Sequence, residues 1–433
     1  MALCRILDAR TEDPFECLSK RQIVRDEATE RVVASIIEDV RTRGDEALLE
    51  TSRRFDSPHL TSILVTDEEM NSTELPTQYE SAIQFAGKRI EDFHTLQLAN
   101  FTAGLEPQGS CFGWRHGSLG QIVRPLSKVG VYVPGGRATY PSSVLMNVLP
   151  ARVAGVDHRF VTTPCRSDGA LSPAVLYALK WAGVEKAFKV GGAAAIAALA
   201  FGTESVPRVD KIVGPGNRFV NEAKRQLWGR VGLDGYAGPS EVCVLLDEDA
   251  NIEWAAADLL TQIEHSDDNA AFIVTTSETV LNELLAAVDR QLNGARCEAS
   301  MRVALSNESI AFIAEDMTQA IDIVNAIAPE HLTVSIKSPE KIVDRIQNAG
   351  AILLGEYTPE SAGDYVLGPS HTLPTAGAAR FGSPVNILDF WKVQSVSHLN
   401  FDELIELIPT IEAFGEMEGF PTHARGATIR LSR

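Results

Sequence analysis

From about Val129 to Leu354 the chain alternates short apolar runs with longer amphipathic ones, joined by Gly, Pro, Ser or Asn, and that alternation leaves few folds open. The patterning predicts strands at 129–133, 160–163, 187–190 and 211–213 and helices at 142–154, 173–182, 193–201 and 217–228. A second series has strands at 241–246, 271–274, 333–336 and 351–354. Its helices are the one carrying Gln262 and His265, then 277–292 and 339–349. Repeated βα units with short connections imply mostly parallel sheets, because a parallel pair needs a crossover, usually a helix. The fold class is α/β, with two such units. Upstream, residues 27–55 and 78–98 have helical periodicity, and the first of these segments is assigned to the second unit. The stretch 121–134 reads as strands. From about Phe390 the chain reads as a helical tail with one apolar stripe, and a stripe of that kind packs on something, such as a second subunit.

A chain of 433 residues has room for two or more domains of roughly 100–200 residues each. Its formal charge of −19 counts against a nucleic-acid partner and tolerates a small cationic or zwitterionic substrate. None of the six cysteines forms a CxxC pair, so scattered reduced thiols are expected rather than a disulfide framework or a thiolate zinc site. No apolar run approaches the roughly 18 residues of a membrane span. The start, Met1-Ala-Leu-Cys-Arg-Ile-Leu-Asp8, lacks the apolar region of a secretory signal. A cytoplasmic protein with no membrane partner is the expectation.

Two clusters carry candidate chemistry. Gln262-Ile-Glu-His265 offers an amide oxygen and an imidazole three residues apart, on one face if the segment is helical. Both can point at one metal ion, with one or two more ligands from elsewhere. Pro329-Glu330-His331-Leu332 sets a carboxylate beside an imidazole where a helical pattern stops, a place suited to an acid/base pair. Each taken alone is more readily a polar helix end or a solvated turn. Asp364 and His371 sit in a Gly/Pro-rich loop, where an aspartate can ligate a cation and a histidine can contact a substrate, or where a plain turn suffices. Glu418 and His423 lie in the polar C-terminal stretch. Gly135-Gly136 and Gly214-Pro-Gly216-Asn217 both follow strands, and both can present N–H groups to an anion. Neither completes a dinucleotide fingerprint.

Linked in order, these pieces resemble the histidinol dehydrogenase family from about Lys20 to Arg430. The motifs are Val131-Tyr132-Val-Pro-Gly-Gly136, Pro141-Ser142-Ser143-Val-Leu-Met146, Lys211-Ile-Val-Gly-Pro-Gly-Asn217 and Ala237-Gly-Pro-Ser240-Glu241. To these are added the Gln262–His265 and Glu330–His331 clusters, Asp364 through His371, and Glu418 with His423. The resemblance implies oxidation of L-histidinol to L-histidine through histidinaldehyde in two NAD-dependent steps, the final steps of histidine biosynthesis. It implies one zinc ion per subunit, held by Gln262, His265, Asp364 and His423, and a homodimer in which the last ligand comes across from the partner's tail. His331 would be the general base and Glu330 the group that activates water. Ser142, Ser240, Gln262, His265, His331, Asp364, His371, Glu418 and His423 would contact substrate, and Tyr132 and Asn217 the cofactor. The implied fold is two incomplete Rossmann-like, aldehyde-dehydrogenase-like domains with helical N- and C-terminal extensions. The implied divisions are an extension at 1–24, a catalytic zinc-binding domain at 25–130 and 236–385, an NAD-binding domain at 131–235, and a helical dimerisation tail at 386–433. One departure stands out: Ala194 replaces the glutamine of the family's Gly-Gly-Ala-Gln motif. The alternative reading is a paralogue that oxidises another small polar alcohol with the same zinc and Glu-His pair. A metal- or ligand-binding protein without catalysis is disfavoured, because binding alone needs no such pair.

Overall fold

A computed structural model describes residues 3–19, 26–108, 111–136, 138–235 and 239–432. Ala237 and Gly238, part of a motif named above, lie outside the described residues. The chain forms two compact units, Met1–Leu98 with Leu126–Phe390, and Ala99–Pro125 with Trp391–Arg433.

The first unit holds two parallel sheets. One has five strands, in spatial order Lys186–Lys189, His158–Thr163, Lys128–Tyr132, Lys211–Val213 and Gly232–Leu233. Ranked by appearance in the chain, this is third, second, first, fourth, fifth, the order of the first five strands of a doubly wound dinucleotide-binding sheet. The other has six: Arg5–Asp8, Ile310–Ile313, Ala270–Thr275, Glu241–Leu246, His331–Ser335 and Ala351–Leu354. Leaving aside the edge strand Arg5–Asp8, the same order appears again.

Both faces of the six-stranded sheet are covered, which is why a central strand such as Glu241–Leu246 is apolar at every position after its first residue. Val242, Val244, Leu246, Ala271 and Ile273 face the helices Ile252–Ile263, Glu278–Leu292 and Glu298–Asn307. Cys243, Leu245, Phe272, Val274, Leu332 and Val334 face the helix Met317–Ile327 on the other side. Each such fully buried side chain contributes roughly 1.5–3 kcal/mol over exposure. In the five-stranded half, the helix Gly192–Phe201 is alanine-rich and buried all round. It is enclosed because the helix Glu27–Arg43 packs on it and on Arg218–Leu227.

That packing departs from the expectation, which put the first helical segment with the second α/β series. Its apolar stripe shows that the helix needs a partner but not which sheet supplies one. Residues 1–24 are likewise more than an extension, since Arg5–Asp8 pairs with Ile310–Ile313. The predicted helix at 339–349 is two single turns of 3-10 helix, Pro339–Lys341 and Val343–Arg345. Helices Glu298–Asn307 and Met317–Ile327 and strand Ile310–Ile313 were not anticipated.

The second unit is a four-stranded antiparallel sheet and two helices, Phe401–Met417 and Pro421–Thr428. The tail is helical from Phe401, and Asn400 and Glu403 form a reciprocal capping box at its start. The segment just before, Trp391–Ser397, is a strand paired with Leu119–Pro125. Among the described residues, no helix is long and apolar enough to cross a membrane.

Candidate active site

Gln262 ends the helix Ile252–Ile263, and Glu360 and Asp364 stand four residues apart on the short helix Glu360–Tyr365. On a helix that spacing puts both carboxyl groups on one face. The two helices meet through these side chains. Gln262 Nε2 donates to Glu360 Oε1 (3.2 Å) and Asp364 Oδ2 (3.3 Å), while the Glu360 backbone N–H donates to Asp258 Oδ1 (3.0 Å), one turn before Gln262. Both neighbours of the amide nitrogen are carboxylates, which accept only, so chemistry fixes which atom of Gln262 points where. His265 lies past the helix end, in an exposed turn, so the expected shared helical face is not what brings it near. It still interacts electrostatically with Asp364. Burial pushes the Asp364 carboxyl up, and the charges of His331 and His265 only partly offset it. A cation would hold it ionised.

The Glu330-His331 pair is buried rather than a solvated turn. The helix Met317–Ile327 ends on Ala328, whose φ of 50° lies in the left-handed region, and Pro329 then redirects the chain into the strand His331–Ser335. A non-glycine residue held there marks local strain, a frequent companion of functional sites. Glu330 Oε2 accepts from the Glu241 N–H (2.8 Å), and its other oxygen lies 3.8 Å from His331 Nε2. His331 Nδ1 faces Glu360 Oε1 in a close ion-pair contact rather than an aligned hydrogen bond. Burial pushes Glu330 up to about 8, against the pull of His331. For His331 burial works against charge, but Glu360, Glu330 and Asp364 outweigh it and raise the imidazole to about 9. Perturbation of this kind clusters at catalytic sites.

His371 joins the two sheet halves. Its Nδ1 donates to the Asp364 carbonyl (3.0 Å), and its Nε2 meets Ser143 Oγ (3.2 Å) on the helix Pro141–Val153. Burial lowers it to about 4, so it stays neutral and Nε2 is left to accept from the hydroxyl. Ser142, the residue expected here, sits half-buried beside it. Ser240 directly precedes strand Glu241–Leu246, and its carbonyl accepts from Ala270 N–H.

Tyr132 ends the first strand of the five-stranded sheet and Asn217 follows the fourth, at the point where strand order reverses and open α/β sheets bind ligands. Gly214 (φ 114°) packs so tightly that a Cβ would lie 2.1 Å from the Tyr132 carbonyl oxygen. Asn217 caps the helix Arg218–Leu227, taking the N–H groups of Phe219 and Val220. Among the described residues the helix Gly192–Phe201 has no side-chain cap at its N-cap residue, and its Gly192 N–H donates to the Tyr132 hydroxyl (3.3 Å). Its N-terminus suits an anionic group.

A family model described as histidinol dehydrogenase matches residues 19–431. The chain belongs to the histidinol dehydrogenase family. Histidinol dehydrogenase of Geobacter sulfurreducens is 42% identical, with each chain fully covered. That of Clostridium acetobutylicum is 41% identical over 97% of this chain and 96% of its own. The crystal structure of histidinol dehydrogenase from Elizabethkingia anophelis is 33% identical and superimposes with a TM-score of 0.89, covering 100% of this chain and 98% of that one. Histidinol dehydrogenases are oxidoreductases of the final steps of histidine biosynthesis, and this membership disfavours the paralogue reading.

The other residues expected of a histidinol dehydrogenase site fall in the second unit. Glu418 and His423 line one cleft of about 230 Å³ with Ile411, Phe414, Gly415 and Phe420. Among the described residues no group of three or more His, Cys, Asp or Glu is arranged to hold a metal ion. In the first unit the expected donors of those types are only His265 and Asp364, since Gln262 contributes an amide. Ala194 is buried in the helix Gly192–Phe201. The residue that sequence reasoning missed is Glu360. Its only signal was the four-residue spacing to Asp364, in a segment too short to read as a helix.

Proposed function

We propose that this chain oxidises L-histidinol to L-histidine through histidinaldehyde, consuming two NAD and one water. The observation that carries the reading is the buried Glu330-His331 pair beside Gln262 and Asp364 in a member of this family. NAD, when bound, accepts the hydride in each step. The crevice at Tyr132, Asn217 and the uncapped helix Gly192–Phe201 suits it. A zinc ion fits the donor set of Gln262 Oε1, His265 and Asp364, with His423 as the fourth ligand from the partner subunit, and it would orient the substrate. The Asp364 carboxyl, pushed up by burial and only partly offset by its neighbours, supports a cation there.

His331 Nε2 takes the alcohol proton as hydride leaves the carbinol carbon. That step breaks one C–H and one O–H bond and yields the aldehyde. Glu330 then removes a proton from the water that adds to the aldehyde carbon. The resulting diol loses a second hydride and a proton to give the acid. Ser142, Ser240, His371 and Glu418 hold the substrate, and neutral His371 does so by hydrogen bonding, without adding charge. The exposed apolar residues of the tail, including Phe401, Ile405, Phe414, Met417 and Phe420, suit a face covered by a second copy. A homodimer exchanging tails is the proposed assembly.

The test is NADH formed per L-histidinol consumed, with and without a chelator. Two NADH per substrate, lost on chelation and restored by zinc, is expected. No NADH from histidinol in a zinc-loaded protein would overturn the reading and favour the other small alcohol.

A further inference from the structure

Glu360 is fully buried, yet no role is assigned to it by the reading above. Its carboxylate meets three groups. Oε1 takes Gln262 Nε2 at 3.2 Å and lies against His331 Nδ1, and Oε2 takes Thr333 Oγ1 at 3.3 Å. Thr333 is two residues beyond His331 on one strand, so both side chains leave the same face of the sheet. The backbone of Glu360 is tied to Asp258, on the helix that carries Gln262. One carboxylate therefore touches both the histidine proposed as base and the amide proposed as ligand. Carboxylate oxygens only accept hydrogen bonds. The histidine nitrogen facing Glu360 must then carry a hydrogen, which leaves Nε2 as the basic atom. The Gln262 atom facing Glu360 must be NH₂, which leaves Oε1 as the atom offered to a cation. A buried carboxylate without such partners would be costly, so its retention is explained by what it holds.

We propose that Glu360 is a positioning residue for both halves of the site, fixing the His331 tautomer with Nε2 toward the substrate and turning the Gln262 amide with Oε1 toward the metal. This rests on the functional reading above for the identity of base and metal. The juxtaposition itself does not depend on histidinol being the substrate.

The test uses full-length E360Q, with zinc affinity measured by chelator competition and the His331 ring nitrogens followed by ¹⁵N NMR at fixed pH. Losing a partner that orients a metal ligand weakens metal binding about 10–100-fold. Zinc affinity is expected to fall by that factor, the His331 nitrogen signals to move toward a mixture of tautomers, and kcat to fall while KM for NAD stays within about two-fold. T333V, which removes only the third contact, is expected to leave all three readouts near wild type. If E360Q does not fold, E360D keeps the charge but withdraws the carboxylate by one methylene and carries the same expectation. Wild-type zinc affinity or an unmoved His331 signal in the folded variant overturns the proposal and leaves Glu360 a structural acid. If wild type does not oxidise histidinol but E360Q still shifts both readouts, the functional reading fails and the positioning role stands.

Discussion

The two parallel sheets share one strand order but use opposite ends of it. In the five-stranded sheet the candidate cofactor residues, Tyr132 and Gly214 through Asn217, follow the carboxyl ends of their strands, as the topology favours. In the six-stranded sheet the candidate chemistry gathers at the amino ends: Ser240 before Glu241, and Glu330 with His331. Gln262 belongs to that end too, because its helix runs back against the strands and finishes there. Topology therefore dictates where a dinucleotide fits but not where protons are moved. What selects the second end is burial of carboxyl groups around one imidazole.

The comparison implies that each end can be damaged separately. The largest effect is expected from H331N, which removes the proposed base. Turnover should fall about 10²–10⁴-fold, with KM for NAD and zinc content unchanged, as read by steady-state kinetics and metal analysis. A matching rise in KM for NAD would show that the two ends are not independent. Next comes G214A at the other end, where a Cβ would collide with the Tyr132 carbonyl. A loss of ~2 kcal/mol or more in denaturant unfolding is expected, together with weakened NAD binding. Zinc affinity should not move.

The alternation of strands and helices was legible because short apolar runs between turn residues are a local signal. Register with distant partners is not local. Arg5–Asp8 has four residues and little pattern of its own, and it becomes a strand only because Ile310–Ile313 offers an edge. Trp391–Ser397 likewise depends on Leu119–Pro125. At the site, Glu330 and His331 were visible as a pair, but their burial was not, since a proline-led turn reads as polar surface. Gln262 and His265 were read as one helical face, whereas the helix stops between them. Glu360 had only its four-residue spacing to Asp364, in a helix of six residues that is too short to show a period.

A smaller effect is expected from pH, and it should reach only the catalytic end. A base acts after losing its proton, so kcat/KM should rise with pH toward about 8 for Glu330 and about 9 for His331. Stability should move the other way. Both groups hold protons more tightly folded than unfolded, so their contribution is fully present below the ordinary values of 4.5 and 6.5 and is lost as pH rises through the folded ones. Thermal unfolding of the metal-free protein should show a falling Tm from pH 7 to 9, and NAD binding by titration calorimetry should stay flat. The smallest effect is expected from N217S. Serine keeps the helix cap, so stability should change by less than ~1 kcal/mol, while KM for NAD rises a few-fold if Asn217 touches the cofactor. An unchanged KM would reduce Asn217 to its cap.

The proposed mechanism divides its labour between Glu330 and His331. A single-turnover measurement on E330Q, with excess NAD, L-histidinol and a hydrazine trap, reads it. About one NADH per subunit, formed near the wild-type rate, with trapped histidinaldehyde, is the expected result. Two NADH at wild-type rate, or none at all, would contradict it.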